Sequence, residues 1–306
     1  MKSRWFVKIA ALVCAFCLAM GVMSQTVFAR DDSDYQQAYT AEEPEATFVV
    51  LDGETSPTPE ATDNRLTLPV YLDGAPAGEC AMINGEPYMG VADFFELLGV
   101  DAQIIDNGNA VSLATDGVML LAQVGQAYFT CNERYLYLDN GAQVLNGSVA
   151  LPMEELVKCM GVTAYWDRVQ WSLTMADTHV KPLMSGSEYY DEADVYWLSR
   201  LIFAMAAEEP LEAKVAVGGV CVNRVGNERF SGQNNIYEVV FAKNQFSVAS
   251  NGMIYVQPDD SSILAAKLAL DGCDPSGGAA YVARSDMGAG YERVAQMGNL
   301  QFFTAA

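Results

Sequence analysis

Positive charge is scarce in this chain. Its 306 residues contain 17 Lys and Arg residues against 39 Asp and Glu residues, which gives a formal net charge of −22. Nucleic-acid binding requires a basic face that neutralises phosphates, so this balance excludes a nucleic-acid partner. It also argues, more weakly, against adhesion to anionic lipid, and it is typical of a protein that stays soluble outside the cell.

Metal ligands are also scarce. His179 is the only histidine, and a Cys-x-x-Cys pair occurs only within the first 29 residues. A zinc site needs several Cys or His ligands at fixed spacing, so neither a metal nor a cofactor is predicted. The later cysteines are few and odd in number, which argues against a disulfide framework. They are Cys80, Cys131, Cys159, Cys221 and Cys273. Buried free thiols are favoured, with one Cys221–Cys273 bridge as the alternative.

Long apolar runs are absent beyond residue 29, so no later segment is predicted to span a bilayer. The N-terminus combines three basic residues, an apolar stretch over 9–23 and the cleavage site Val27-Phe28-Ala29. This pattern predicts a signal peptide over residues 1–29, with an uncleaved membrane anchor as the alternative. Cleavage removes three basic and no acidic residues, so the net charge falls from −22 to −25. The mature protein is therefore expected to be exported, and either extracellular or associated with the cell wall.

Two segments have the composition of linkers. Residues 30–65 are acidic and rich in Thr, Pro and Ser, which predicts a flexible spacer, although the apolar stretch 46–51 could form an isolated strand. Residues 177–192 contain Lys181-Pro182 and Ser185-Gly186-Ser187, which break regular structure. These segments divide the mature chain into one domain over 66–176 and another over 193–306.

Residues 66–176 contain an internal repeat with an offset of 62 positions. Asn84-Gly85 recurs as Asn146-Gly147, and Leu98-Gly99-Val100 recurs as Met160-Gly161-Val162. Each copy predicts a turn, a short amphipathic helix that ends at a glycine, and two strands. The helices are predicted over 91–98 and 153–160, and further strands are expected between the copies.

The second copy carries Ala150-Leu151-Pro152-Met153 before its helix, Met160-Gly161-Val162 at the helix end and Trp166-Asp167 in the following strand. These motifs resemble the stalk domain named for the N-terminal region of copper amine oxidases. The first copy departs from the pattern, since it lacks the proline and has Ile104-Ile105 in place of Trp-Asp. The resemblance covers about residues 66–176. It implies a non-catalytic α+β module of exported proteins and does not imply copper.

From Ala193 onward the pattern is helical, with apolar residues at helix spacing up to Met205. Further helices are predicted over 211–225, after Pro210, and over 260–270, before Gly272. Five ordered motifs lie on this framework. They are Arg200-Leu201 with Glu209-Pro210 and Asn223-Arg224-Val225, Ile236-Tyr237 with Val239-Val240, Asn244-Gln245-Phe246-Ser247, Asp274-Pro275-Ser276 with Tyr281, and Gly298-Asn299.

In this order the motifs resemble the SleB-type cell wall hydrolases, known for digesting spore cortex peptidoglycan. The match covers about residues 194–303, nearly without gaps. It implies a mostly helical, lysozyme-like domain and peptidoglycan or another cell wall glycan as the partner. The chain is thus expected to be α+β, with a two-repeat α+β stalk domain followed by a mostly helical lysozyme-like domain.

The resemblance fails at the position that carries catalysis. In the family, the first glutamate of Glu-Ala-Arg-Gly-Glu is the acid/base. The register set by Arg200-Leu201 and Glu209-Pro210 places that position on Met205. A thioether cannot donate a proton to a glycosidic oxygen. The family histidine after Gly298-Asn299 is Leu300 here, so no catalytic residue is assigned, and packing in the core is the simplest role for Met205.

Two fallback carboxylates and three glycan contacts remain as candidates. Glu208 and Glu209 would share the face of Met205 if the helix continued, although a loop-supporting role is favoured for Glu209. Gln245 and Tyr281 could hydrogen-bond to a sugar and stack on its face. Asn223 is the third candidate, with a structural role at the helix end as the alternative.

Three functions are compatible with these features. The residues favour an exported, wall-associated protein that binds peptidoglycan and has lost the hydrolase chemistry. The family resemblance alone favours an active peptidoglycan hydrolase or lytic transglycosylase that uses a displaced carboxylate. A structural surface protein without glycan affinity is the third.

Overall fold

The computed structural model describes residues 46–51 and 66–306. The predicted signal peptide over 1–29 and most of the predicted spacer over 30–65 lie outside these residues. The apolar stretch near residue 46 forms strand β1 (Thr47–Leu51), which pairs parallel to β12 (Thr163–Asp167). Within the described ranges, no helix is both long enough and apolar enough to cross a membrane.

The internal repeat forms two copies of one unit, each with a hairpin, a helix that starts directly after it, and a second pair of strands. The first copy consists of β3 (Ala75–Ile83), β4 (Glu86–Gly90), α1 (Val91–Leu97), β5 (Gln103–Asp106) and β6 (Ala110–Ala114). The second consists of β10 (Gln143–Leu145), β11 (Ser148–Pro152), α2 (Met153–Met160), β12 and β13 (Ser172–Asp177). The predicted helices and order of elements are confirmed.

Asn-Gly turns set the register of the first hairpin in each copy. Both central residues have positive φ, at 49° and 91° for Asn84-Gly85 and at 52° and 85° for Asn146-Gly147. Turns of this kind match the twist of the flanking strands, and asparagine and glycine adopt them at little cost. Each hairpin then leads directly into its helix.

The strands of this domain form two sheets around one core. The larger sheet has the order β1-β12-β13-β2-β3-β4-β11-β10, where β2 is Thr67–Leu72. The smaller is an antiparallel meander of β5, β6, β7 (Met119–Gln123), β8 (Tyr128–Cys131) and β9 (Arg134–Tyr137). Both helices bury apolar side chains in this core, among them Phe94 and Phe95 of α1 and Leu156 and Val157 of α2.

The C-terminal part has its own core, built from helices and a small sheet. The helices are α3 (Gly186–Tyr189), α4 (Glu192–Ala206), α5 (Leu211–Val222), α6 (Ile236–Phe241), α7 (Ser247–Ser250) and α8 (Asp260–Leu270). The strands β14 (Tyr281–Ala283), β15 (Tyr291–Met297) and β16 (Leu300–Ala305) follow in the order β14-β16-β15. The α+β class is correct. A mostly helical C-terminal domain is not confirmed, since its last segment is sheet and the described chain is rich in strands.

The cysteines beyond residue 29 are free thiols, as predicted, so the alternative of a Cys221–Cys273 bridge is wrong. Four of them are buried, and Cys273 is partly exposed. Buried cysteines pack as small apolar side chains, which accounts for their presence in the cores.

The segment 177–192 is bonded to the end of α2. The Lys181 and Leu183 amides donate to the Met160 and Cys159 carbonyl oxygens at 2.9 and 3.0 Å. Leu183 is buried, with 4% of its surface exposed. The sequence predicts a linker here, and these contacts hold the middle of that segment against the first domain.

Arg134 joins the two parts of the described chain. It begins β9, and its guanidinium donates to the carboxylate of Asp271, which follows α8. The two side chains are 1% and 2% exposed. Tyr190 also donates to Asp271, and the Tyr189 ring centroid lies 3.4 Å from the guanidinium carbon. The two cores therefore meet through a buried ion pair.

Candidate functional site

Met205 lies in the last turn of α4. That helix is capped at its N-terminus by Asp191, whose side chain accepts hydrogen bonds from the Ala193 and Asp194 amides at 2.8 and 3.2 Å. Such a cap satisfies amides that have no partner within the helix. The helix ends at Ala206, and Met205 packs, partly buried, against the C-terminal core. The candidate acid/base position therefore lies at a helix end and carries an apolar side chain.

Glu209 lies in the turn between α4 and α5, and its carboxylate is enclosed. The side chain is 3% exposed. It accepts hydrogen bonds from the Asn299 amide at 3.0 Å and the Asn299 side-chain amide at 3.3 Å, and Arg284 lies 3.1 Å away. The backbone hydrogen bond from Asn299 is the main reason that the pKa of Glu209 is lowered, and Arg284 adds to the effect. Glu209 is thus held ionised.

The Gly298-Asn299-Leu300 segment is shaped around this carboxylate. Gly298 has φ of +55°, and a Cβ atom there would lie 2.2 Å from Glu209 Oε2. Only glycine allows so close an approach. Leu300 is 2% exposed and opens β16 in the core. The position of the family histidine is therefore filled by a core side chain.

Arg284 connects Met205 with Glu209 and was missed by the sequence analysis. Its Nη2 donates to the Met205 carbonyl oxygen at 3.2 Å, while its Nη1 pairs with Glu209. The side chain is 62% exposed. Arg284 follows β14 directly and belongs to none of the five motifs. The only signal for it in the sequence is that basic residues are rare in this acidic chain. The structure thus places an accessible cation beside the candidate acid/base position.

Glu208 does not share the helix face of Met205. The helix stops at Ala206, and Glu208 lies in the following turn with an exposed side chain. The condition for a shared face, a helix that continues past Met205 to both glutamates, is therefore not met, because the chain turns there toward Pro210. Glu208 remains the accessible carboxylate of the pair.

Arg224 organises the candidate glycan contacts. It is 3% exposed, and its Nε donates to the Ala280 carbonyl oxygen at 2.7 Å. Its Nη1 donates to Gln245 Oε1 at 3.0 Å, and its guanidinium carbon lies 5.5 Å from the Tyr281 ring centroid. Burial lowers the pKa of Arg224. Gln245 and Tyr281 thus contact one buried cation, a link that no motif spacing indicated.

Asn223 has a different set of partners. Its side-chain amide donates to Asp274 Oδ2 at 2.8 Å and to the Ala279 carbonyl oxygen at 3.0 Å. Asp274 also accepts from the Ser276 and Gly278 amides at 3.0 and 2.8 Å. Asn223 therefore supports the loop that leads into β14, and its amide hydrogens are already used there.

The strand β14 brings these features together. It carries Tyr281 at its start and is followed directly by Arg284, which contacts Glu209. In the described ranges, no group of three His, Cys, Asp or Glu side chains is placed to hold a metal ion. The site thus presents amide, aromatic and guanidinium groups, with one exposed carboxylate at Glu208.

Two family models match the chain and confirm both resemblances. Residues 67–175 match the copper amine oxidase N-terminal domain, and residues 208–303 match the Cell Wall Hydrolase model. The second match begins three positions after Met205. The chain therefore combines a stalk-type module with a cell wall hydrolase-type region.

Curated relatives match about a third of this chain. The spore cortex-lytic enzyme of Halalkalibacterium halodurans is 34% identical over 97 residues, which cover 32% of this chain and 29% of the relative. That of Oceanobacillus iheyensis is 30% identical over 110 residues, or 36% of this chain and 39% of the relative. That of Bacillus subtilis is 31% identical over 97 residues, or 32% and 31%. The chain thus spans roughly a third of the length of these relatives.

Two solved structures are also similar to this chain. The catalytic domain of the Bacillus cereus SleB protein is 25% identical, with a TM-score of 0.35, covering 38% of this chain and 92% of that chain. The catalytic domain of the germination-specific lytic transglycosylase SleB from Bacillus anthracis is 26% identical, with a TM-score of 0.34, covering 38% and 97%.

Proposed function

We propose that this chain is an exported protein of the cell wall whose lysozyme-like C-terminal domain binds peptidoglycan without cleaving it. The observation that carries the proposal is Met205 at the acid/base position, beside a neighbouring glutamate whose carboxylate is already bonded. The relatives, named spore cortex-lytic enzymes, support a wall glycan as the partner. The stalk domain over 66–176 would then separate the binding domain from the N-terminus.

Glycoside cleavage requires a carboxylic acid in the cleft that is still protonated near neutral pH. Met205 offers no such group. Glu209 is unsuited because its pKa is lowered by the Asn299 amide, and its hydrogen bonds would have to break before it could reach a substrate. The apolar side chain at position 205 and the bonded, ionised carboxylate at position 209 together support binding without hydrolysis.

Gln245 and Tyr281 are the proposed glycan contacts. Because Gln245 Oε1 accepts from Arg224, its Nε2 group is the part left to donate to a sugar hydroxyl or acetamide oxygen. The Tyr281 ring is partly exposed and packs at 5.0 Å from the Tyr291 ring. Asn223 is proposed only as a support of the adjoining loop.

A sedimentation and release assay tests the proposal. Purified protein starting at residue 30 is incubated with wall or spore cortex peptidoglycan, and both pelleted protein and soluble fragments are measured. We expect pelleting without release of fragments. Gln245→Leu should reduce pelleting, whereas Gln296→Leu on β15 serves as the control. Release of muropeptides by the unaltered protein contradicts the proposal.

The alternative is an active hydrolase or lytic transglycosylase, and the exposed carboxylate of Glu208 is the observation that favours it. If fragments are released, Glu208→Gln should abolish release and Glu212→Gln should not. Glu209→Gln tests the carboxylate of Glu209 independently of that of Glu208. No release by any of these proteins supports binding alone.

A further inference from the structure

An acidic cavity lies where the two domains meet, away from Met205. Its volume is about 310 Å³, which is at the small end of the range for ligand sites. Strand β9 and helix α2 contribute one wall, and the segment after α8 contributes the other. The charged residues of its lining are six acids and one base: Glu86, Asp139, Glu154, Glu155, Asp271, Asp274 and Lys158.

Several of these carboxylates already have partners. Asp271 is bonded to Arg134 and Tyr190, Asp274 accepts from Asn223, and Glu86 accepts from Asn140 at 3.0 Å. These hydrogen bonds account for the positions of the three carboxylates, and only that of Asp271 with Arg134 crosses between the domains. Glu155 differs from these three residues, because one of its carboxylate oxygens has no such partner.

Glu155 presents a carboxylate oxygen without a partner. Its Oε2 is buried and has no hydrogen-bond partner among the described residues, Lys158 included, although Lys158 lies one turn further along α2. A buried polar atom without a partner is costly, and native proteins rarely retain one. Oε2 itself has almost no accessible surface, so a cation in the cavity would act on Glu155 by offsetting the charge of its carboxyl group, which further carboxylates of the lining surround.

The geometry favours an organic cation over a metal ion. Within the described ranges, no three His, Cys, Asp or Glu side chains converge on one point as a metal requires. The carboxylates instead surround a space large enough for several heavy atoms. A primary ammonium group is compact, carries three donors and suits such a dispersed set of acceptors.

We propose that the cavity binds a primary ammonium group, with Glu155 as its central carboxylate. The group can come from a free diamine or from the side chain of a lysine-like residue in a peptide. The proposal does not rest on the proposed function, since peptidoglycan binding at Gln245 and Tyr281 involves other residues.

Binding should depend on pH in a defined direction. Burial raises the pKa of Glu155 to about 7, with Lys158 opposing and the carboxylates of Glu154, Asp271 and Glu86 adding to the rise. Near neutral pH the free site is therefore partly protonated, and a cation binds to its ionised form. Affinity should rise between about pH 6 and pH 8, and binding near pH 7 should release protons.

Calorimetric titration of the whole mature chain tests the site. The probes are 1,5-diaminopentane and Nα-acetyl-lysine amide, which distinguish a free diamine from a peptide side chain. We expect saturable binding of at least one probe at a ratio of one to one. Glu155→Gln should weaken it about tenfold, since a charge-assisted bond is lost. The matched control is Asp93→Asn, at the equivalent position of α1 in the first repeat, which should leave the affinity within about twofold.

Equal affinity in Glu155→Gln and the unaltered chain would overturn the proposal, as would tighter binding of Ca²⁺ than of either amine. If Glu155→Gln does not fold, proton release by the unaltered chain still tests the proposal. Titrations near pH 7 in buffers of different ionisation enthalpy measure the protons released. Binding with no proton release contradicts the role of Glu155.

Discussion

Glu208 and Glu209 are adjacent in sequence but lie in different environments. Glu208 faces solvent, whereas Glu209 is enclosed by Asn299, Gly298 and Arg284. The sequence predicted a supporting role for Glu209 from its place before Pro210. It could not predict Arg284, because that contact joins residues 75 positions apart without any motif.

Glu209→Gln should destabilise the fold by about 1–3 kcal/mol at pH 7, because a buried hydrogen-bonded carboxylate is replaced by a group that also carries donors. The pKa of Glu209 is lowered in the folded state from its ordinary value of 4.5, chiefly by the hydrogen bond from the Asn299 backbone amide. Its contribution is therefore present above pH 4.5 and is lost as the pH falls through the folded value. Urea unfolding at pH 7 and pH 3 measures both. Glu208→Gln, which is exposed, should change stability by less than about 0.5 kcal/mol.

Met205→Glu should fold, at a cost of about 1–2 kcal/mol, because position 205 is only partly buried. Arg284 lies beside its backbone, and a neighbouring cation keeps a new carboxyl ionised. The single variant should therefore release little or no muropeptide. Met205→Glu with Arg284→Asn should release more, because the acid is then protonated at higher pH. Unfolding of Met205→Glu would show instead that position 205 lies in an apolar core that is closed to solvent.

At the scale of elements, the sequence predicted the repeat well, because its signals are local. Helices α1 and α2, their glycine ends and the Asn-Gly turns each depend on a few neighbouring residues. Strand β15 was not predicted, since most of its side chains are exposed and its pattern lacks a buried face. Pairing with β16, rather than its own residue pattern, makes it a strand.

The two helix-end glycines should differ in their tolerance of alanine. Both have positive φ, 65° at Gly99 and 59° at Gly161. A Cβ at Gly99 would meet open space, whereas at Gly161 it would lie 2.0 Å from the Lys181 carbonyl oxygen. Gly99→Ala should cost about 1 kcal/mol, and Gly161→Ala should cost about 3 kcal/mol or more, because the backbone must also move. Chemical denaturation measures both. Equal costs would contradict the close approach of residues 177–192.

At the scale of the whole molecule, the contact between the domains was beyond sequence analysis. Arg134 follows a tight turn and Asp271 follows the last residue of a helix. Polar residues are common at both kinds of position, so the sequence offers no reason to pair these two. The composition of 177–192 predicted a connection but not its attachment to α2, because breakers such as Pro182 describe only the local backbone. Long-range packing decides both features.

Asp271→Ala should destabilise the protein by about 3–5 kcal/mol, because it leaves the Arg134 guanidinium buried without its carboxylate. Arg134→Met combined with Asp271→Leu should cost less than the sum of the single changes. A double-mutant cycle by urea unfolding gives the coupling energy. Additive effects would show that the ion pair does not join the two parts.

The distribution of thiols also determines where the native protein can be labelled. Four of the five described cysteines are buried, and only Cys273 is partly exposed. Burial raises the pKa of Cys273 to about 12, so the reactive thiolate is a trace species at neutral pH. A maleimide should therefore modify the mature chain slowly and at one place, on the wall of the acidic cavity. A fluorophore attached there would report separation of the two domains without any engineered cysteine.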